Sequence, residues 1–128
     1  MNANPTQVKV IKETLDNLIH SASNAHLDIL ETLYHDEMKI YMFDKNHDLH
    51  QMSKRDFIDY LKLSSGENNT PSTWAKYHIV EADEKNGHVL IDRKVNLGGG
   101  EQLDVTLSID FVFESGRWQI TREVIFSR

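Results

Sequence analysis

Apolar and polar residues alternate through the second half of the chain, and recur at helical spacing through the first. Residues 88–97 (HVLIDRKVNL), 102–113 (QLDVTLSIDFVF) and 118–126 (WQITREVIF) read as strands. Gly98-Gly99-Gly100 separates the first two, and Glu114-Ser115-Gly116-Arg117 the last two. Glycine accepts positive φ without a Cβ clash, so both connections suit hairpins. Pairing Leu97 with Glu101 matches Val95 to Leu103, Arg93 to Val105, Ile91 to Leu107 and Val89 to Ile109. Closing the next hairpin at Phe113 and Trp118 matches Phe111 to Ile120, Ile109 to Arg122, Leu107 to Val124 and Val105 to Phe126. One face is then almost entirely apolar, interrupted by Arg93 and Arg122. The other carries His88, Leu90, Asp92, Lys94, Asn96, Asp104, Thr106, Ser108, Asp110, Val112, Gln119, Thr121, Glu123 and Ile125. A one-residue slip would exchange the faces, so agreement across three strands supports this register and an antiparallel meander.

Upstream, Val8, Ile11, Leu15, Leu18, Ile19 and Ala22 predict an amphipathic helix over about 6–22, and Leu27, Leu30, Leu33 and Tyr34 a second over about 26–35. Met38 to Phe43 reads as a short strand and Asp44 to Gln51 as a polar loop. Ser53 and Asp56 form a capping box opening a short helix through Phe57, Tyr60 and Leu61. Residues 64–72 (SSGENNTPS) are loop-forming. A strand follows from Trp74 to Ala82, then a turn near Asn86-Gly87. A sheet apolar on one face needs cover, and the helices supply it. The expected fold is α+β: a curved mixed or antiparallel sheet wrapped around N-terminal helices as a cone-shaped half-barrel.

At 128 residues the chain reads as one domain. It has no cysteine, hence no disulfide and no thiolate chemistry. The N-terminal MNANPTQ lacks a charged region followed by an apolar run, and no stretch is long enough to span a bilayer. This reading places the protein in the cytoplasm, away from membranes. A net charge of −6 with scattered Lys and Arg argues against a nucleic-acid partner. Asp44-Lys45-Asn46-His47-Asp48 begins like a calcium loop, but Leu49 stands where glycine is required and Arg55 where the terminal glutamate belongs, so no metal is expected. No cofactor is expected either.

Three segments carry a family resemblance: Asn24-Ala25-His26-Leu27-Asp28, Leu33-Tyr34-His35-Asp36-Glu37, and Ser115-Gly116-Arg117-Trp118-Gln119-Ile120. With the element order, they make the chain resemble the nuclear transport factor 2-like superfamily, the cystatin-like α+β cone, and within it SnoaL-like and lumazine-binding-like members. The resemblance implies homodimers with sheets packed together and a pocket inside each cone. It leaves the activity open, since the cone hosts isomerases, dehydratases, cyclases, transport factors and binders. On the ketosteroid isomerase pattern, Leu18 falls at the tyrosine position, Met42 at the base, and Ile109 (or Asp110, counting the loop differently) at the second acid. With Ile109 preferred, all three groups are lost, and no inward carboxylate is expected.

Two arginines on an apolar face require partners, because an unpaired buried charge is costly. Either Arg122 and Arg93 mark an anion-binding pocket, or each pairs with an internal acid such as Asp16 or Asp28 or reaches the rim. Extending the sheet adds Trp74, Lys76, His78, Val80 and Ala82 to the inner face. The leading reading is a small-molecule-binding protein for an anionic or aromatic ligand, with Arg122, Arg93, Trp74, Met42, Ile40 and Ile109 at the pocket. The alternative is a SnoaL-like cyclase, isomerase or dehydratase using His78 as base, with Arg122 stabilising charge. On the outer face, His88 is expected opposite Asp110 and Lys94 opposite Asp104, as cross-strand pairs at a dimer face.

Overall fold

The computed structural model describes residues 4–21, 23–64, 73–95 and 103–127. The glycine loop at 98–100, the Leu97–Glu101 pairing and the loop at 65–72 lie outside the described residues. The elements are α1 (Pro5–Ile19), α2 (Ser23–Leu33), β1 (Tyr34–Phe43), β2 (Leu49–Ser53), α3 (Lys54–Ser64), β3 (Ala75–Ala82), β4 (Asn86–Val95), β5 (Leu103–Glu114) and β6 (Arg117–Ser127). They form an α+β fold around one mixed sheet of order β2-β1-β6-β5-β4-β3. The sheet is open, with β2 and β3 as its edges. All neighbours are antiparallel except β1 and β6.

Local chemistry sets the ends of the elements. The Asn4 side chain accepts hydrogen bonds from the Thr6 and Gln7 amides and caps α1, with Pro5 in its first turn. The Ser53 hydroxyl accepts from the Asp56 amide and the Asp56 carboxylate from the Ser53 amide, which is the expected capping box. Lys54 then donates to the Glu31 carbonyl and Asp36, and Arg55 to both Glu31 oxygens, tying α3 to α2 and β1. Ser115 (φ 56°) and Gly116 (φ 78°) make the two-residue turn between β5 and β6, where paired positive φ matches strand twist.

Two local expectations are corrected. The polar loop after β1 is shorter than its sequence suggests, because β2 returns along β1. β2 is a mostly exposed edge strand, so it shows no apolar pattern. The turn between β3 and β4 is Asp83-Glu84-Lys85, not Asn86-Gly87: the Asp83 carboxylate accepts from the Lys85 and Asn86 amides, and Asn86 already belongs to β4.

The core lies between the helices and one face of the sheet. Ile11, Leu15, Leu18 and Ile19 of α1 and Leu30 of α2 pack with Ile40, Val89, Ile91, Val105 and Ile109. Gly87 is buried where α1 crosses the sheet, and a Cβ there would collide with Ile11 Cδ1. Gly87→Ala is therefore expected to cost on the order of 1–3 kcal/mol by overpacking. Ile11→Val, which removes the obstructing methyl, should cost on the order of 1 kcal/mol alone. In urea denaturation the double variant should lose clearly less than the sum of the two. Strict additivity would show that another group fills the space.

Candidate functional site

The register of β4 on β5 is the expected one, residue for residue from His88↔Asp110 to Val95↔Leu103. So is the start of β6, with Phe113↔Trp118 and Phe111↔Ile120. Then the ladder shifts: Asp110 pairs with Arg122, and Ile109 with Glu123. Thr121 is the extra residue of a β-bulge, and its hydroxyl donates to the Asp110 carbonyl at 3.3 Å. Beyond the bulge every side chain changes face. Glu123 and Ile125 point at the helices, 4% and 2% exposed, while Arg122 and Phe126 point away.

A second bulge sits at His78, between Tyr77↔Ile91 and Ile79↔Leu90. It brings Tyr77 to the helix side and leaves Trp74, Lys76 and His78 on the outer face.

These bulges rearrange the expected residues. Arg93, Ile40, Met42 and Ile109 lie on the inner face, as expected. Arg122, Trp74 and His78 do not, and their inner placement is corrected. The Arg122 guanidinium rests 5.7 Å from the Tyr41 ring centroid on the exposed outer surface. Trp74 is 43% exposed and stacks under Lys94 Nζ at 5.3 Å. His78 Nε2 lies 2.8 Å from Asp92 Oδ2, whose other oxygen accepts from Thr106. His78 and Arg122 are three strands apart, roughly 14 Å by strand spacing, and do not form one site. The outer cross-strand pairs are as expected: His88 Nδ1–Asp110 Oδ1 at 2.7 Å and Lys94–Asp104 at 3.9 Å. Asp110 therefore faces outward. Of the isomerase-like positions, Leu18 and Ile109 are buried apolar core and Met42 is half-buried.

The expectation of no inward carboxylate is overturned by Glu123. Its ladder neighbours are Ile40 and Ile109, both apolar. The Tyr34 hydroxyl, itself buried, donates to Glu123 Oε2 at 3.1 Å. Burial disfavours the charged carboxylate and outweighs the Tyr34 bond and the Arg93 charge, which both favour it, so the Glu123 pKa rises to about 7. Tyr34 is pushed far up, first by burial and then by the adjacent Glu123.

A second polar group lies toward the end of the sheet near Arg93. Tyr77 donates to Asp16 of α1 at 2.6 Å, and its pKa is raised first by burial and then by that carboxylate. Arg93 Nε donates to the Trp74 carbonyl, and burial lowers its pKa. His26 of α2 lies 3.1 Å from the Leu18 carbonyl through Nδ1, so Nδ1 carries the proton and donates. Burial lowers the His26 pKa more than that bond raises it, and Arg93 lowers it further. Neutral His26 then offers Nε2 as an acceptor. Between these groups lie Met42 and Leu107, half-buried although on the inner face. Separately, an open groove of about 590 Å³ between β1, β2 and α3 is lined by Asp36, Lys39, Gln51 and Met52, among others.

Solved structures share this fold across nearly the whole chain. An NTF-2 like protein of unknown function from Silicibacter pomeroyi superposes with a TM-score of 0.77 at 11% identity, over 96% of this chain and 97% of its own. An NTF2-like protein of unknown function from Shewanella baltica gives 0.71 at 17% identity, over 99% and 98%. The fold is NTF2-like. A de novo designed protein with curved beta-sheet also matches, at a TM-score of 0.61 and 8% identity over 95% and 98%. The NTF2-like fold alone therefore specifies no activity. No protein-family model and no curated protein sequence matches the chain. No helix among the described residues is long and apolar enough to cross a membrane.

Burial of Glu123 has a definite pH signature. Its folded pKa, about 7, stands above the ordinary 4.5. The folded state therefore holds a proton that the unfolded chain releases. That stability is fully present below about 4.5, declines as pH rises and is gone above about 7, a loss of roughly 3 kcal/mol. Glu123→Gln removes the titration. The stability difference between variant and wild type should therefore move in favour of the variant from pH 5 to pH 8, read by urea denaturation at each pH. A difference flat in pH would show that Glu123 is ionised and solvated in the fold.

Proposed function

We propose that the protein binds a small molecule on the helix side of its NTF2-like sheet, in a chamber between Glu123 and Arg93. One observation carries this reading: a buried carboxyl, bonded to a buried tyrosine, stands amid apolar neighbours on the helix side of the sheet. Such a group costs stability, and the Tyr34 hydroxyl satisfies only one of its two oxygens. Ile40, Met42 and Ile109 supply the apolar wall, and Arg93 the positive charge. His26 and Tyr77 add polar contacts beside Arg93. Arg122 and Trp74 belong to the opposite face.

A second copy of the chain is the partner proposed for that opposite face. It bears Phe43 and Phe126 stacked at 5.5 Å, with Phe126 42% and Ile79 38% exposed. Apolar groups rimmed by ion pairs suit an interface. The protein should sediment near twice its chain mass of 14.8 kDa, and Phe126→Lys should halve that. A monomeric wild type would reject the dimer.

An enzyme is the second reading, favoured by His78. Asp92, largely buried, lies 2.8 Å from Nε2 and orients an imidazole whose side chain is 36% exposed.

One thermal-shift screen of small carboxylates, phosphates, flavins and polycyclic aromatics tests both readings. A ligand at 100 times its Kd should add about 2.7 kcal/mol and raise Tm by several degrees. The shift should disappear in Met42→Trp, which fills the chamber, and persist in Arg122→Ala. The reverse pattern would move the ligand to the outer face and sink the proposal. A hit that wild type converts to product and His78→Gln does not would select the enzyme.

A further inference from the structure

The identity of the ligand's polar group follows from how Glu123 is held, and this step rests on the inner-site reading above. Glu123 Oε2 accepts from Tyr34, and Oε1 meets no donor among the described residues. The other charged or titratable group whose field reaches Glu123 is Arg93 of β4. The remaining groups around the chamber are turned elsewhere. His26 of α2 faces the Leu18 carbonyl and Arg93, Asp16 of α1 is engaged by Tyr77 and Lys12, and α3 presents the Phe57 ring to Tyr34. β5 presents Ile109 and β1 presents Ile40 beside it.

We infer that the chamber takes a monocarboxylate with an apolar body, and that Glu123 gains a proton as the ligand enters. A carboxylic acid donating to a carboxylate makes a short, strong O–H···O⁻ bond. Two ionised carboxylates in the same low-dielectric space would repel. Tyr34 holds one oxygen of Glu123 and so directs the proton to Oε1, the oxygen without a protein donor. Arg93 offsets the incoming negative charge. Met42, Leu107 and Ile125 face the apolar body. Burial already holds Glu123 near half-protonation at neutral pH, so the uptake needs little further work.

Benzoate and its uncharged isostere benzamide test this by calorimetric titration at pH 6, 7 and 8. Two buffers of different ionisation heat give the number of protons taken up. Benzoate should bind with uptake approaching one proton per site at pH 8, and its affinity should fall by up to about tenfold per pH unit above neutrality. In Glu123→Gln the uptake should vanish and the affinity become flat in pH. Benzamide should bind more weakly than benzoate at pH 6. Benzoate binding to wild type without proton uptake, or benzamide binding equally well, overturns the inference. The Met42 methyl NMR signal separates the two levels. Benzamide binding with that signal perturbed keeps the inner site and rejects the carboxylate. If neither probe binds nor perturbs Met42, the inner-site reading falls as well.

Discussion

One extra residue in β6 decides what this fold holds inside. Without the bulge at Thr121, the ladder would continue Ile109↔Arg122 and Leu107↔Val124, and a guanidinium would face the helices. With it, a carboxyl faces them, and the cation moves to the outer surface against Tyr41. The side-chain period of a strand is two, so a single inserted residue inverts everything beyond it. The Tyr34–Glu123 bond and the aromatic stack of Phe43 on Phe126 both depend on that inversion.

Most of the architecture was legible in the chain. The β4–β5 register, the Ser115-Gly116 turn, the Ser53–Asp56 capping box and the two amphipathic helices all rest on local rules: alternation, positive φ at paired turn residues, and reciprocal capping. Each is decided by residues close in sequence or directly opposed. The position of β1 beside β6 is a long-range choice. Alternation and turn chemistry do not assign it.

The site was less legible, for a physical reason. After Ile120, both registers bury one charged residue and leave apolar residues outside. The straight register puts Arg122, Val124 and Phe126 in; the bulged one puts Glu123 and Ile125 in. Alternation favours the straight one. The structure follows the other because β1 runs parallel to β6 and supplies Ile40 and Met42 inside, with Tyr41 and Phe43 outside to cover Arg122 and Phe126. Nothing within β6 signals that partner. The same holds at His78, where a bulge gives the inner place to Tyr77, which there meets Asp16 and Lys12 of α1.

The parallel pairing of β1 with β6 also sets the chain-entropy balance. Tyr34 and Glu123 are 89 residues apart, whereas the β5–β6 hairpin closes through a two-residue turn. Closing a long loop costs more entropy than closing a short one, though the increment is only about 0.6 kcal/mol per doubling. The meander is held by local closures, while the Tyr34–Glu123 bond exists only when the two halves of the chain are docked. The Tyr34–Glu123 bond thus joins the first strand of the sheet to the last strand of the chain. Parting β1 from β6 would bring that carboxyl into water and uncover Ile40 and Ile120, which are fully buried at the seam.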